Sequence, residues 1–196
     1  MTGIARAGLI LFPEFSEFEV TAAASFLRAL HQLVTVALTD VPVTSEAGLT
    51  FLPRKSLADV RPQDFEVLII PGGNMVHLKD AEPLFSFVRE MSERGALLAA
   101  ICSGPYVLAR AGVLAGRPYT VTYTREQRAF LGCFEKTGYR YEPVVQDENV
   151  ITAQGHAFVA FGLAVARHLR GPLENNTHAF YEGRHNTFME APPDSA

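Results

Sequence analysis

Cysteine is scarce in this chain of 196 residues: only Cys102 and Cys133 occur, too few for a disulfide framework and in keeping with a reducing compartment. Long hydrophobic runs are missing too, and no stretch approaches the roughly 18 continuous apolar residues of a membrane span. Positive charge is in deficit, with 17 Lys and Arg against 21 Asp and Glu, a net charge of −4. Such a chain has no basic footprint with which to follow a phosphate backbone, so a nucleic-acid partner is not expected. Paired spacings of the Cys-x-x-Cys or His-x-x-x-His kind are absent, as are a phosphate loop and a dinucleotide fingerprint. Neither a metal nor a cofactor is expected. The opening segment carries one positive charge, Arg6, and a short apolar stretch stopped by Pro13 and Glu14. That is too brief for a secretory h-region with a cleavage site, and a cytoplasmic location is expected.

With 48% hydrophobic and 19% charged residues, the composition suits one globular domain over residues 1–196, frayed at about 191–196. Residues 6–12 form a compact apolar run that predicts a buried strand. Residues 17–31 place Phe18, Ala22, Phe26 and Ala29 at helical spacing, with Ser16 as a candidate N-cap. Leu33 to Leu38 predicts a second strand, and Val41 to Leu52 an edge hairpin around Ser45-Glu46-Ala47-Gly48. Val67-Leu-Ile-Ile-Pro71 reads as a third buried strand closed by Gly72-Gly73, and residues 82–94 as a helix stopped at Gly95. After a strand ending at Ile101 and a helix behind it, Tyr119–Tyr123 reads as a further strand and Arg125–Phe130 as a helix. Val144–Gln146 and Val150–Thr152 read as a hairpin. Residues 156–169 are apolar nearly all round, so that helix should be covered by the sheet or by a second copy of the chain, and a homodimer is expected. The alternation predicts an α/β fold, a mostly parallel sheet with helices on both faces plus a small β-hairpin, with ligands beyond the carboxyl ends of the strands.

Cys102 stands where the apolar run 95–101 turns into a helix opening with Ser103-Gly104-Pro105. A strand that turns abruptly into a helix lifts the turn side chain out of the sheet, close to free backbone N–H groups. Such a setting would lower the thiol pKa and favour a nucleophilic thiolate, whereas a buried structural cysteine is the plain alternative. Two more segments fall at strand ends, Glu17-Phe18-Glu19 and Pro71-Gly72-Gly73-Asn74. Glu19 can close a capping box with Ser16, and Glu17 competes with it for an inward position. Gly72-Gly73 can equally be a plain tight turn.

Together, Glu17–Glu19, Pro71-Gly72-Gly73-Asn74 and Ala100-Ile101-Cys102-Ser103-Gly104-Pro105 resemble the ThiJ/PfpI superfamily, a flavodoxin-like, doubly wound branch of the class I glutamine amidotransferase-like fold. The resemblance covers nearly the whole chain and implies that Cys102 is the nucleophile and Glu19 the acid that contacts it. It also implies an oxyanion hole from the backbone N–H groups of Gly73 and Ser103, with Gly72 giving room. Two departures stand out. Peptidase members carry a histidine directly after the nucleophile, where this chain has Ser103, so a cysteine peptidase is not expected. Deglycase members carry a histidine in the segment corresponding to Thr120–Thr124, where this chain has none. His156 and His77 are candidates to replace it, each with a surface role as the alternative. Tyr123 can either offer a hydroxyl to the pocket or pack on the sheet. Cys133 reads as structural.

The resemblance therefore implies a Cys102-dependent hydrolase or lyase of the deglycase or glyoxalase type, acting on a small-molecule electrophile. The alternative is a redox sensor or chaperone-like protein in which an oxidant modifies Cys102.

Overall fold

Strands that are apolar on both faces are stable only between two helical layers, and the apolar runs of this chain pair accordingly into a mostly parallel sheet. The computed structural model describes residues 5–28, 31–170 and 181. In chain order the elements are β1 (Arg6–Leu11), α1 (Phe18–Leu27), β2 (Gln32–Ala37), β3 (Val43–Thr44), β4 (Thr50–Phe51), β5 (Lys55–Ser56) and β6 (Val67–Ile70). There follow α2 (Glu82–Glu93), β7 (Leu97–Ile101), α3 (Pro105–Arg110), α4 (Arg125–Leu131), β8 (Val144–Asp147), β9 (Val150–Ala153) and α5 (Phe158–Arg170). The main sheet has seven strands in the order β5-β2-β1-β6-β7-β9-β8, and only the β8–β9 pair is antiparallel. Both β6 and β7 are buried along their whole length.

The strand order explains where a site can form. From β1 the chain steps outward to β2, whereas from β6 it steps the opposite way to β7. Right-handed crossovers then put α1 and α2 on opposite faces and open a crevice between the carboxyl ends of β1 and β6. Helix α5 packs against α1 so closely that a Cβ on Gly162 would lie 2.8 Å from the Ala23 nitrogen. The apolar face of α5 is thus covered largely within the chain, by α1 and the sheet, with Phe161, Leu163 and Val165 buried.

Several local expectations are corrected. Ser16 does not cap α1: Glu17 holds the N-cap position in helical conformation without a side-chain cap bond, and Ser16 Oγ donates instead to Glu46 Oε2 at 2.5 Å. The helix ends at Leu27 rather than reaching residue 31. Strands β3 and β4 form a hairpin, yet as a separate two-stranded sheet, and the edge beside β2 is taken by β5, which is too short to show a pattern. Tyr119–Tyr123 is not a strand. Strand β9 already occupies the side of β7 that it would need, so the segment is held by Thr120 N–H on Thr152 Oγ1 (2.9 Å) and Thr122 N–H on the Cys102 carbonyl (2.8 Å). The frayed end expected at 191–196 lies outside the described residues. Among the described residues, no helix is long and apolar enough to cross a membrane, and no group of three or more His, Cys, Asp or Glu could hold a metal ion.

Candidate active site

Strand β7 delivers Cys102 to the crevice. Its N–H still donates to the Ala153 carbonyl of β9 (2.9 Å), and the chain then turns at once, with Cys102 at φ 61°. A residue with a Cβ holds such a left-handed conformation only under the grip of its surroundings, so the sharp turn read from the sequence is present and strained. Gly104 follows on a backbone so tight that a Cβ there would lie 2.6 Å from the Ile70 carbonyl oxygen.

Helix α1 delivers the acid. Glu19 is 2% exposed, its Oε2 accepts the Gly72 N–H at 2.8 Å, and its carboxyl also hydrogen-bonds the Cys102 side chain. Glu19, not Glu17, is therefore the inward carboxylate, and the capping role open to it in the sequence is not taken. The close approach depends on two missing side chains. A Cβ on Gly72 would stand 2.5 Å from the Cys102 Cβ and 2.6 Å from Glu19 Oε2, and one on Gly155 would stand 3.0 Å from Glu19 Oε1 and 3.1 Å from Cys102 Sγ. Gly155 was not singled out in the sequence. The available signal is a glycine two residues after a buried strand that neighbours the Cys102 strand, where backbone meets a site.

The thiol does not behave as its place at a helix start suggests. Burial, then the negative charge and hydrogen bond of Glu19, push Cys102 up to about 12, against the smaller opposing pull of the Thr122 hydroxyl and the Ser103 N–H. The expectation of a lowered thiol pKa is corrected: α3 spans only Pro105–Arg110, and its N-terminal dipole does not offset desolvation. Burial also raises Glu19. The two groups titrate as a pair, and between their pKa values they share one proton, on sulfur or on carboxyl.

The oxygen side of the pocket is built from Gly73, Ser103 and Tyr123. Gly73 N–H donates to Ser103 Oγ at 3.0 Å, Ser103 Oγ–H donates to the Gly73 carbonyl at 2.9 Å, and the Tyr123 hydroxyl hydrogen-bonds Ser103. Gly73 itself is bridged to Phe15, and its φ of 130° suits glycine alone. The Tyr123 ring packs edge-on against Phe134, with centroids 6.1 Å apart, a loop residue and not a strand of the sheet. Thr122, missed in the sequence, ties the floor together: its Oγ1 accepts the Gly155 N–H at 2.9 Å. Neither candidate histidine joins this network. His77 Nε2 lies 2.9 Å from Glu14 Oε2 at the surface, and His156 is exposed beside Gly155. The pocket thus combines a thiol, a buried acid, hydroxyls and backbone amides, the parts for nucleophilic attack on a small electrophile.

Comparison with known proteins gives the family and the fold. The model of the DJ-1/PfpI family matches residues 5–168. The glutathione-independent glyoxalase DJR-1.2 of Caenorhabditis elegans is 31% identical over 179 residues, covering 88% of this chain and 93% of that protein. The isonitrile hydratase of Pseudomonas putida is 30% identical over 171 residues, covering 85% of this chain and 72% of that protein. Among solved structures, the DJ-1 superfamily protein Atu0886 of Agrobacterium tumefaciens superposes with a TM-score of 0.80 at 28% identity, covering 91% of this chain and 96% of that one.

Proposed function

The chain belongs to the DJ-1/PfpI family, and from that premise we propose that it is a hydrolase or lyase of small carbonyl electrophiles, with Cys102 as nucleophile and Glu19 as its proton partner. The observation that carries this reading is the buried Glu19 carboxyl, held by the Gly72 N–H at 2.8 Å and hydrogen-bonded to the Cys102 thiol. Transfer of the sulfur's proton to Glu19 creates a thiolate beside a neutral acid, a charge arrangement that burial of both groups tolerates because only one charge is present. The thiolate attacks the carbonyl carbon, a C–S bond forms, and the π electrons move to oxygen, where the Ser103 and Gly73 amides can meet the developing charge. Turnover of a dicarbonyl then needs a hydrogen moved from the attacked carbon to its neighbour, which gives a thioester, and a water that hydrolyses it: the water oxygen bonds to the carbon as the C–S bond breaks, the hydroxy acid leaves, and sulfur recovers the proton held by Glu19. The names of the relatives, a glyoxalase and an isonitrile hydratase, support chemistry on small molecules.

The test is turnover of methylglyoxal to lactate by the wild-type protein and by Cys102→Ala. Activity lost in the variant supports the reading, and equal rates overturn it. A second reading, reversible oxidation of Cys102, is favoured by the same proton transfer, which would expose a thiolate to peroxide. Mass spectrometry after mild peroxide should then find added oxygen on Cys102 before Cys133. The assembly we expect is a homodimer, and a monomer in sedimentation at micromolar concentration would exclude it.

A further inference from the structure

Resting on the small-carbonyl reading, we propose that the Ser103 hydroxyl is a place-holder for the substrate's oxygen, and that Tyr123 is the positioning residue that turns this hydroxyl into an oxyanion donor. Ser103 Oγ sits 3.0 Å from the Gly73 nitrogen, in the position an oxygen must take to use that amide. Its own proton points at the Gly73 carbonyl, 2.9 Å away. Ser103 Oγ thus accepts one bond and donates one to Gly73, and because its single proton is used there, the Tyr123 hydroxyl that also bonds it is left the donor's part. Gly73 is half-buried, and its amide, which would otherwise lack a protein partner on this side, is satisfied by the serine until substrate arrives.

When Cys102 attacks a carbonyl, the new oxyanion needs donors where Ser103 Oγ now accepts. Gly73 N–H exchanges Ser103 Oγ for the substrate oxygen. Ser103 Oγ–H rotates from the Gly73 carbonyl to that same oxygen, and Tyr123 O–H keeps donating to Ser103 Oγ. Only hydrogen bonds are exchanged, and no proton leaves Tyr123. Its bond polarises the serine hydroxyl, which makes it a stronger donor. Burial pushes Tyr123 up to about 12, so it stays protonated and able to donate across the working pH range. The hydroxyl pair thereby stands on the oxygen side of a site whose two candidate histidines lie outside its hydrogen-bond network.

Alkylation of Cys102 by iodoacetamide creates no oxyanion, which gives a clean separation. The measurement is the rate of Cys102 alkylation, followed by mass spectrometry, with and without methylglyoxal as a competitor that forms a hemithioacetal. Wild type should be protected by methylglyoxal, Ser103→Ala should need about tenfold more for equal protection, and Tyr123→Phe should fall between them. Alkylation without methylglyoxal serves as each protein's own baseline, against which its protection is read. Because Tyr123 acts through Ser103, the double variant should be no worse than Ser103→Ala. Equal protection of wild type and both single variants overturns the inference while leaving the small-carbonyl reading intact, as does a further loss in the double variant. A fall in protection no greater than the fall in that variant's own baseline would show a structural effect and also overturn it. An alkylated but unprotected wild-type Cys102 defeats the small-carbonyl reading, and this inference with it.

Discussion

Cys102 and Cys133 are both half-buried, and burial raises the pKa of both thiols. What separates them is company. Cys133 follows Gly132, the left-handed cap of α4, and burial raises its pKa against the smaller pull of a backbone hydrogen bond and of the Arg110 guanidinium. Cys102 has a carboxyl at hydrogen-bond distance that burial has itself made more basic. On the proposed reading, reactivity at Cys102 follows from a partner that can take the proton, and a low thiol pKa is not what distinguishes it.

The largest expected way to break this contrast is Glu19→Gln, which leaves a hydrogen-bonding amide but no proton acceptor. Turnover of methylglyoxal should fall about 100-fold or more, the usual weight of a positioned acid or base, while Cys133→Ala leaves it unchanged. A pH series of iodoacetamide alkylation sharpens the contrast. Above the raised pKa of Glu19 and below about 12, the Cys102–Glu19 pair shares one proton, so the Cys102 rate should be flat, whereas the Cys133 rate should climb with each pH unit. In Glu19→Gln the flat region should vanish and Cys102 should climb as Cys133 does.

Gly72→Ala tests the packing side of the comparison. Its new Cβ, 2.5 Å from the Cys102 Cβ, should cost about 1–3 kcal/mol in denaturant unfolding and slow alkylation of Cys102 but not of Cys133. The smallest effect is on stability against pH. Glu19 binds its proton more tightly folded than unfolded, so the folded state is favoured at low pH, and that advantage is lost as pH rises from about 4.5 through the raised folded pKa. Glu19→Gln removes this slope, and its stability relative to wild type should be greater at pH 8 than at pH 4.5.

Much of this arrangement is legible in residue order. Apolar runs ending in Gly72-Gly73 and Cys102-Ser103-Gly104 mark the strand ends, and the topology brings them together because sheet neighbours share a carboxyl edge. Three things are not legible. Whether Ser16 caps α1 depends on Glu46, which arrives from 30 residues away and takes its hydroxyl. Whether Tyr119–Tyr123 is a strand depends on whether β7 has a free edge, a property of the assembled sheet. The direction of the Cys102 shift depends on how far desolvation outweighs a six-residue helix, a balance that only the folded pocket sets.

The left-handed backbone at Cys102 puts folding and chemistry in competition for one position. Glycine at 102 would relieve the crowding of the Cβ, so Cys102→Gly should melt later than Cys102→Ala by the equivalent of about 1–2 kcal/mol, with both inert. A search for hardier variants of this protein, scored by melting temperature alone, would thus be drawn toward replacing the very residue we propose as the nucleophile.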